Sequence, residues 1–203
     1  MSKVILASAS PRRRELLNQI GLKFEVIPSH IEEVLKGNSP AENVMGLASD
    51  KAADIYDQLI KQGETDLLVI GADTVVALGD KILGKPKDEA DALEMLRFLQ
   101  GHTHQVYTGV CLITVEGMHL FYGKTDVTMY PATDEQLKAY IASGEPMDKA
   151  GSYAIQGLGA VFIQGIHGDY NNVVGLPVAE IWQCMQADET MRAIVAVNKV
   201  EQD

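Results

Sequence analysis

The sequence predicts an α/β protein with a mixed β-sheet. Three observations predict it: apolar strand-like runs alternate with helical segments, long Thr-, Val- and Tyr-rich stretches meet at short turns, and cap signals punctuate the helices. At 203 residues the chain can bury a sizeable core, as one large domain or two lobes. Neither an internal repeat nor a linker interrupts it, so residues 1–203 read as a single domain.

Lys3–Ala7 is a strand, followed by a hydroxyl-rich loop, Ser8–Ser10. Ser10 then reads as an N-cap with Pro11 at the first helical position, and the helix closes at Gly21. Phe24–Pro28 is a second strand. Ser39 and Glu42 form a capping box with Pro40 between them. Val44, Leu47, Ala48, Ala52, Ile55 and Leu59 continue it at helical spacing as far as Gly63. Asp66–Leu78 is an almost unbroken apolar run, as expected of a strand covered on both faces, and Asp73 interrupts it. A Gly79-Asp80 turn leads into "KILGKP", and Lys87–Gly101 is a helix. "HQVYTGVCLITV" and "MHLFYGKTDVTMY" meet at Glu116-Gly117 as an antiparallel hairpin. Thr133 and Gln136 cap a helix ending near Gly144, "GAVFIQGIHGDY" suggests a last hairpin, and "GLPVAEIWQCMQ" is a closing helix. Beyond about Asp188 the signals thin out, and a loosely held tail is expected.

Composition narrows the function. The chain is 46% hydrophobic and 22% charged, with a formal net charge of −11 and a sequence pI of about 4.8. That argues against nucleic acid or an anionic membrane as the main partner. A small anion is still admissible, because exposed charges beyond about 8–10 Å are screened at physiological salt. No apolar run reaches spanning length, and "MSKVILAS" does not read as a secretory signal. Cys111 and Cys184 lie far apart without ligand spacing and read as reduced thiols, so a cytoplasmic setting is expected. The five histidines share no ligand spacing on a helix and read as surface or loop residues.

One local feature runs against the overall acidity. Arg12, Arg13 and Arg14 stand at a helix N-terminus, where cations are disfavoured by roughly 0.3–1 kcal/mol each. At ~100° per residue, Arg13 falls in the middle of the face centred by Leu16, Leu17 and Ile20. Arg12 lies at that face's edge and Arg14 toward solvent. Arg13 therefore aims at the end of the sheet, where an anion could meet it together with the Ser8–Ser10 donors. Ion pairs with Glu15 or Glu25 are the alternative.

Four further clusters accompany the arginines. Asp73 sits in an apolar strand, where a carboxylate needs a cation or a hydrogen-bond partner, although many strand ends carry an Asp bonded to backbone amides. Glu32 and Glu33 follow the second strand and would ordinarily be solvated. Lys85 is braced between Gly84 and Pro86, outside any Walker A pattern. Asp148, Lys149, Ser152 and Gln156 crowd a glycine-containing loop, a ligand-touching segment or simply a well-bonded turn. Carboxylates for a hard cation, with Arg and Lys for phosphate, are the kit of metal-assisted phosphoryl chemistry. The G-x-G-x-x-G, H-E-x-x-H and G-x-S-x-G patterns of competing chemistries do not occur.

The ordered motifs "LASASPRR", "IEE", "LASDKA", "IGADTVV", "LGKP", "THQVYTGV", "EPMDKAGSYAIQGLGA" and "VVGLP" resemble those of the Maf (septum-formation, Maf-like) nucleoside triphosphate pyrophosphatases over Lys3 to about Met185. The resemblance implies an elongated mixed sheet flanked by helices, with two lobes around a central cleft, as in inosine triphosphate pyrophosphatases. It implies hydrolysis of a nucleoside triphosphate to the monophosphate and pyrophosphate with a divalent cation, Mg²⁺ or Mn²⁺. By the same resemblance Asp73 is the proton acceptor, and Ser8, Arg13, Glu33, Lys51 and Lys85 match other active-site positions. Glu33 and Asp73 are the implied metal ligands. Arg12, Thr74 and Gln156 match the positions that sort substrates, with the residues of the dTTP/UTP branch. A homodimer is compatible with this reading. The rivals are a non-catalytic nucleotide sensor in cell division and an enzyme clearing modified pyrimidine nucleotides.

Overall fold

The structure is a computed structural model describing residues 2–200. Its strands are β1 (Lys3–Leu6), β2 (Glu25–Val26), β3 (Leu67–Leu78), β4 (Lys81–Leu83), β5 (Thr103–Thr114), β6 (Gly117–Met129) and β7 (Ile163–His167). Its helices are α1 (Pro11–Gln19), α2 (Pro40–Lys61), α3 (Glu89–Leu99), α4 (Asp134–Ile141), α5 (Tyr170–Val174), α6 (Val178–Ala187) and α7 (Glu189–Val197). Among the described residues one seven-stranded sheet runs β2-β1-β3-β5-β6-β7, with β4 paired to β3. β1 lies parallel to β2 and β3, whereas β4 and β7 run antiparallel to β3 and β6. The expected mixed α/β class is the class observed.

The chain divides into two compact units. The first holds the chain up to Asp73, Thr108–Tyr122 and the chain from Gly175 onward; the second holds Thr74–Tyr107 and Gly123–Val174. In the first unit Ile5, Ala48, Ala52, Ile55, Val69 and Cys111 share one core. Here α2 approaches the strands closely because two glycines leave room. A Cβ on Gly71 would stand 2.2 Å from the Ala48 carbonyl oxygen, and one on Gly109 would stand 2.3 Å from the Val44 carbonyl. Ser39 accepts the Glu42 N–H as expected, but the Glu42 carboxylate returns to the amide of Asn38 rather than of Ser39. Ser10 occupies the N-cap position of α1 without capping by its side chain.

Of the tail expected to be loose, Glu189–Val197 is instead a helix, and residues 201–203 lie outside the described residues. Asp188 accepts the Met191 N–H, and α7 buries Met191, Ile194 and Val195. One capping residue between two helices, with no glycine or proline, is enough to restart the helix.

In the second unit Val76, Leu96, Leu99, Val106, Val127, Met129, Tyr140 and Phe162 form a separate core. Thr133 and Gln136 make the reciprocal capping box of α4. The segment expected to be a second hairpin, Gly159–Tyr170, is instead a 3-10 segment, Gly157–Phe162, followed by the single strand β7 on β6. The cause is Glu145, whose carboxylate takes the amides of Leu158 and Gly159 out of reach of a strand ladder. His104 is a second correction: it is fully buried, with Nε2 2.7 Å from the Tyr153 hydroxyl. Strand alternation sets it on the inward parity with Val106. The other four histidines are exposed as expected.

Candidate active site

Ser8 follows β1 and is buried, while Arg13 stands one turn into α1, half-buried. The Arg13 Nη1 donates to Ser8 Oγ at 3.0 Å and to the Ala72 carbonyl at 2.9 Å, and its Nε donates to the Gly175 carbonyl at 2.9 Å. Its partners include a hydroxyl and two backbone carbonyls. Burial pushes the guanidinium pKa down, Asp73 and Glu33 pull it up, and Arg12 adds to the depression. Arg12 is half-buried and Arg14 exposed, in the order that the helical face predicts.

Lys51 lies in the apolar stripe of α2, between Ala48 and Ala52. The close approach at Gly71 brings that stripe to Asp73, two residues further along the same face of β3. Lys51 Nζ reaches Asp73 Oδ1 at 2.7 Å and Glu33 Oε1 at 2.6 Å. Lys51 and Asp73 are each 8% exposed, so this carboxylate in an apolar strand has its cation. Glu33 arrives from the exposed loop before α2. Five of the candidate residues, Ser8, Arg13, Glu33, Lys51 and Asp73, therefore form one connected group in the first unit. Two cations hold adjacent positions of β3, Arg13 the carbonyl of Ala72 and Lys51 the side chain of Asp73.

Thr74, Lys85 and Gln156 belong to the second unit. Thr74 is half-buried on β3, Lys85 is exposed before buried Pro86, and Gln156 is exposed just before the 3-10 segment. The Gly151 N–H donates to the Gly84 carbonyl at 3.0 Å, which ties the Lys85 loop to the turn leading to Gln156. Glu145 steadies the other flank of Gln156, accepting from Tyr140 Oη, Leu158 N and Gly159 N at 2.9 Å each. Asp148 and Lys149 pair with each other. Ser152 is fully buried and turned to the Met95 sulfur. The motif reading missed Glu145, whose role depends on bonds 13 and 14 residues away.

A family model described as Maf-like protein matches residues 3–188, which span every candidate position. The chain belongs to the Maf-like family. A relative from Agathobacter rectalis named dTTP/UTP pyrophosphatase is 54% identical to this Maf-like chain over 90% of its length and 96% of the relative's. Bacillus thuringiensis subsp. konkukian has a relative of the same name, 50% identical over 89% and 93% of the two chains. Among solved structures, that of the Staphylococcus aureus Ham1 protein aligns over 80% of each chain at 14% identity and a TM-score of 0.41, a likeness too slight to bear on function.

Proposed function

We propose that this Maf-like chain hydrolyses dTTP and UTP to the nucleoside monophosphate and pyrophosphate. The observation that carries the reading is the buried Lys51 bridge between Asp73 and Glu33, one strand position from the Arg13-bound Ala72. Two relatives about half identical to the chain bear the name of that activity.

In this mechanism Lys51 holds Oδ1 of Asp73, and Oδ2 orients a water at the α-phosphorus and takes its proton. The water oxygen forms the new P–O bond as the bond from the α-phosphorus to its bridging oxygen breaks, and pyrophosphate leaves with the electron pair. Arg13, Lys51, Lys85 and the Ser8 hydroxyl supply donors to phosphate oxygens, on which negative charge builds. Arg12, Thr74 and Gln156 read the pyrimidine, the Gln156 amide being able to donate and accept at its O4/N3 edge.

A hard divalent cation, Mg²⁺ or Mn²⁺, would be held chiefly by Glu33 with Asp73 beside it, since both carboxylates lie within reach of one point, the Lys51 ammonium. Among the described residues no group of three or more His, Cys, Asp or Glu side chains could hold a metal. Mg²⁺ sites commonly take one or two carboxylates, with phosphate and water completing the shell. When bound, the cation would supply charge neutralisation at the phosphate oxygens. Cys111 and Cys184 are both free, which supports a reducing, cytoplasmic setting. Among the described residues no helix is long and apolar enough to cross a membrane.

The test is phosphate release coupled to inorganic pyrophosphatase, with Mg²⁺ and a panel of dTTP, UTP, CTP, GTP, 5-methyl-UTP, pseudo-UTP and 5-methyl-CTP. Turnover is expected first with dTTP and UTP, falling by about 10²–10⁴-fold in Asp73→Asn while nucleotide binding persists. Wild-type rates in that variant would remove Asp73 from the chemistry. Nucleotide binding without any turnover in the wild type would make the chain a sensor instead.

A further inference from the structure

Among the described residues Ser152 is the one residue other than glycine with a positive φ, 60°. A Cβ in that conformation crowds the following carbonyl, a cost that glycine avoids. Ser152 therefore carries a side chain where the backbone would be easier without one. It is fully buried, and its hydroxyl donates to the Met95 sulfur on α3 at 3.2 Å. Residues in such sparse conformations persist only where their surroundings over-determine them, and they cluster at functional sites.

The surroundings of Ser152 do over-determine it, all within the second unit. The Gly151 N–H donates to the Gly84 carbonyl at 3.0 Å, and the Tyr153 hydroxyl lies 2.7 Å from His104 Nε2 on β5. The Ala154 N–H donates to Tyr140 Oη on α4 at 3.1 Å. Four consecutive residues are thus anchored to four different places: the loop at Gly84, α3, β5 and α4. Lys85 follows Gly84 directly, and Gln156 stands two residues after Ala154. One buried strap sets the place of both.

We propose that Ser152 is a positioning residue, the peg that fixes Lys85 and Gln156 relative to one another. This rests on the proposed nucleotide hydrolysis, in which Lys85 meets phosphate and Gln156 meets the pyrimidine. Presetting the two loops removes the cost of ordering them on binding, and the gain is confined to a ligand that engages both at once. A base with one phosphate, or a phosphate chain without a base, gains nothing from it. Ser152 touches no substrate in this role; it acts through the Gly84 carbonyl on one side and the turn to Gln156 on the other.

Isothermal titration calorimetry with three probes tests this without turnover: dTMP, pyrophosphate and the non-hydrolysable α,β-imido analogue of dTTP, each with Mg²⁺. Ser152→Gly removes the peg and the backbone crowding together, so its urea midpoint should stay near that of the wild type. Its Kd should stay within about twofold for dTMP and for pyrophosphate but weaken about tenfold for the analogue. Met95→Leu leaves Ser152 in place and takes away the sulfur, and should show the same selective loss at about threefold. A purely structural Ser152 would instead lower the urea midpoint and weaken all three probes alike. That result overturns the proposal, as does an analogue bound equally well by Ser152→Gly and the wild type. Absence of analogue binding to the wild type removes the proposed function and the positioning role with it; equal losses across the probes remove the positioning role alone.

Discussion

Arg13 and Lys51 are cations at positions where α1 and α2 otherwise bury aliphatic side chains, and each is matched at β3. Removing one member of a buried pair typically costs about 3–5 kcal/mol, because the remaining charge keeps its desolvation without its partner. Lys51→Met should therefore lower the unfolding free energy by about 3 kcal/mol and abolish turnover. Adding Asp73→Asn should recover part of the stability and none of the activity, read by urea unfolding and phosphate release. A strictly additive double variant would show that the two side chains do not interact. Asp73 was legible as a charge in an apolar strand, and Lys51 is visible by the same logic in the stripe Val44–Leu59. Glu33 was legible only through the family resemblance, because nothing in its local chemistry separates it from Glu32; in the structure the bond to Lys51 does. Glu145 offers a second test at this scale. Burial works to raise its carboxyl pKa, but the Leu158 and Gly159 amides and the Tyr140 hydroxyl outweigh it and hold the pKa below the ordinary value. Glu145→Gln sets an NH₂ against an amide donor, at a cost of about 1–3 kcal/mol. It should also blunt discrimination between dTTP and GTP through the loosened Gln156 segment. An unchanged kcat/KM ratio for the two nucleotides would confine Glu145 to folding.

The decisive element is α2, because its distance from β3 sets the Lys51–Asp73 bond. Gly71→Ala would force a methyl against the Ala48 carbonyl and to 2.8 Å from Ala52 Cβ. The helix has to move, costing about 1–3 kcal/mol and separating Lys51 from Asp73, so stability and kcat should fall together. Gly46→Ala on the same helix meets nothing within 4 Å. It should gain about 0.5–1 kcal/mol at unchanged kcat, since glycine is entropically unfavourable in a helix interior. Equal effects of the two substitutions on urea midpoints would refute close packing at Gly71. Most element boundaries were readable because caps and glycines are local signals: Ser39, Thr133 and Gly63 stand where the helices start or stop. The exceptions have non-local or overlooked causes. Glu145 diverts the amides of the expected hairpin, and α7 restarts on Asp188 with its apolar residues at the three- and four-residue spacing of a helix.

For the molecule as a whole, strand and helix alternation announced the α/β class but not the division of the chain. β3, β5 and β6 each give residues to both units, so the boundaries fall inside strands, where no composition shift or linker marks them. Whole-molecule stability against pH depends in part on His104, inside the core of the second unit. Burial depresses its pKa from 6.5 to about 4, and its packed partner is Tyr153, whose hydroxyl burial raises far above the ordinary range. The folded protein therefore keeps His104 neutral at pH values where the unfolded chain already binds a proton. Its contribution is complete above about pH 6.5, declines as pH falls from 6.5 toward 4, and levels off below that. A shift of this size is worth about 3 kcal/mol across the window, at 1.36 kcal/mol per pH unit. Gln at this position retains a hydrogen bond to Tyr153 and cannot titrate. Urea unfolding of His104→Gln between pH 4 and 7 should thus show a shallower acid limb than wild type, with the two curves converging toward pH 4. Parallel limbs would mean that the buried imidazole is not what makes the fold sensitive to acid.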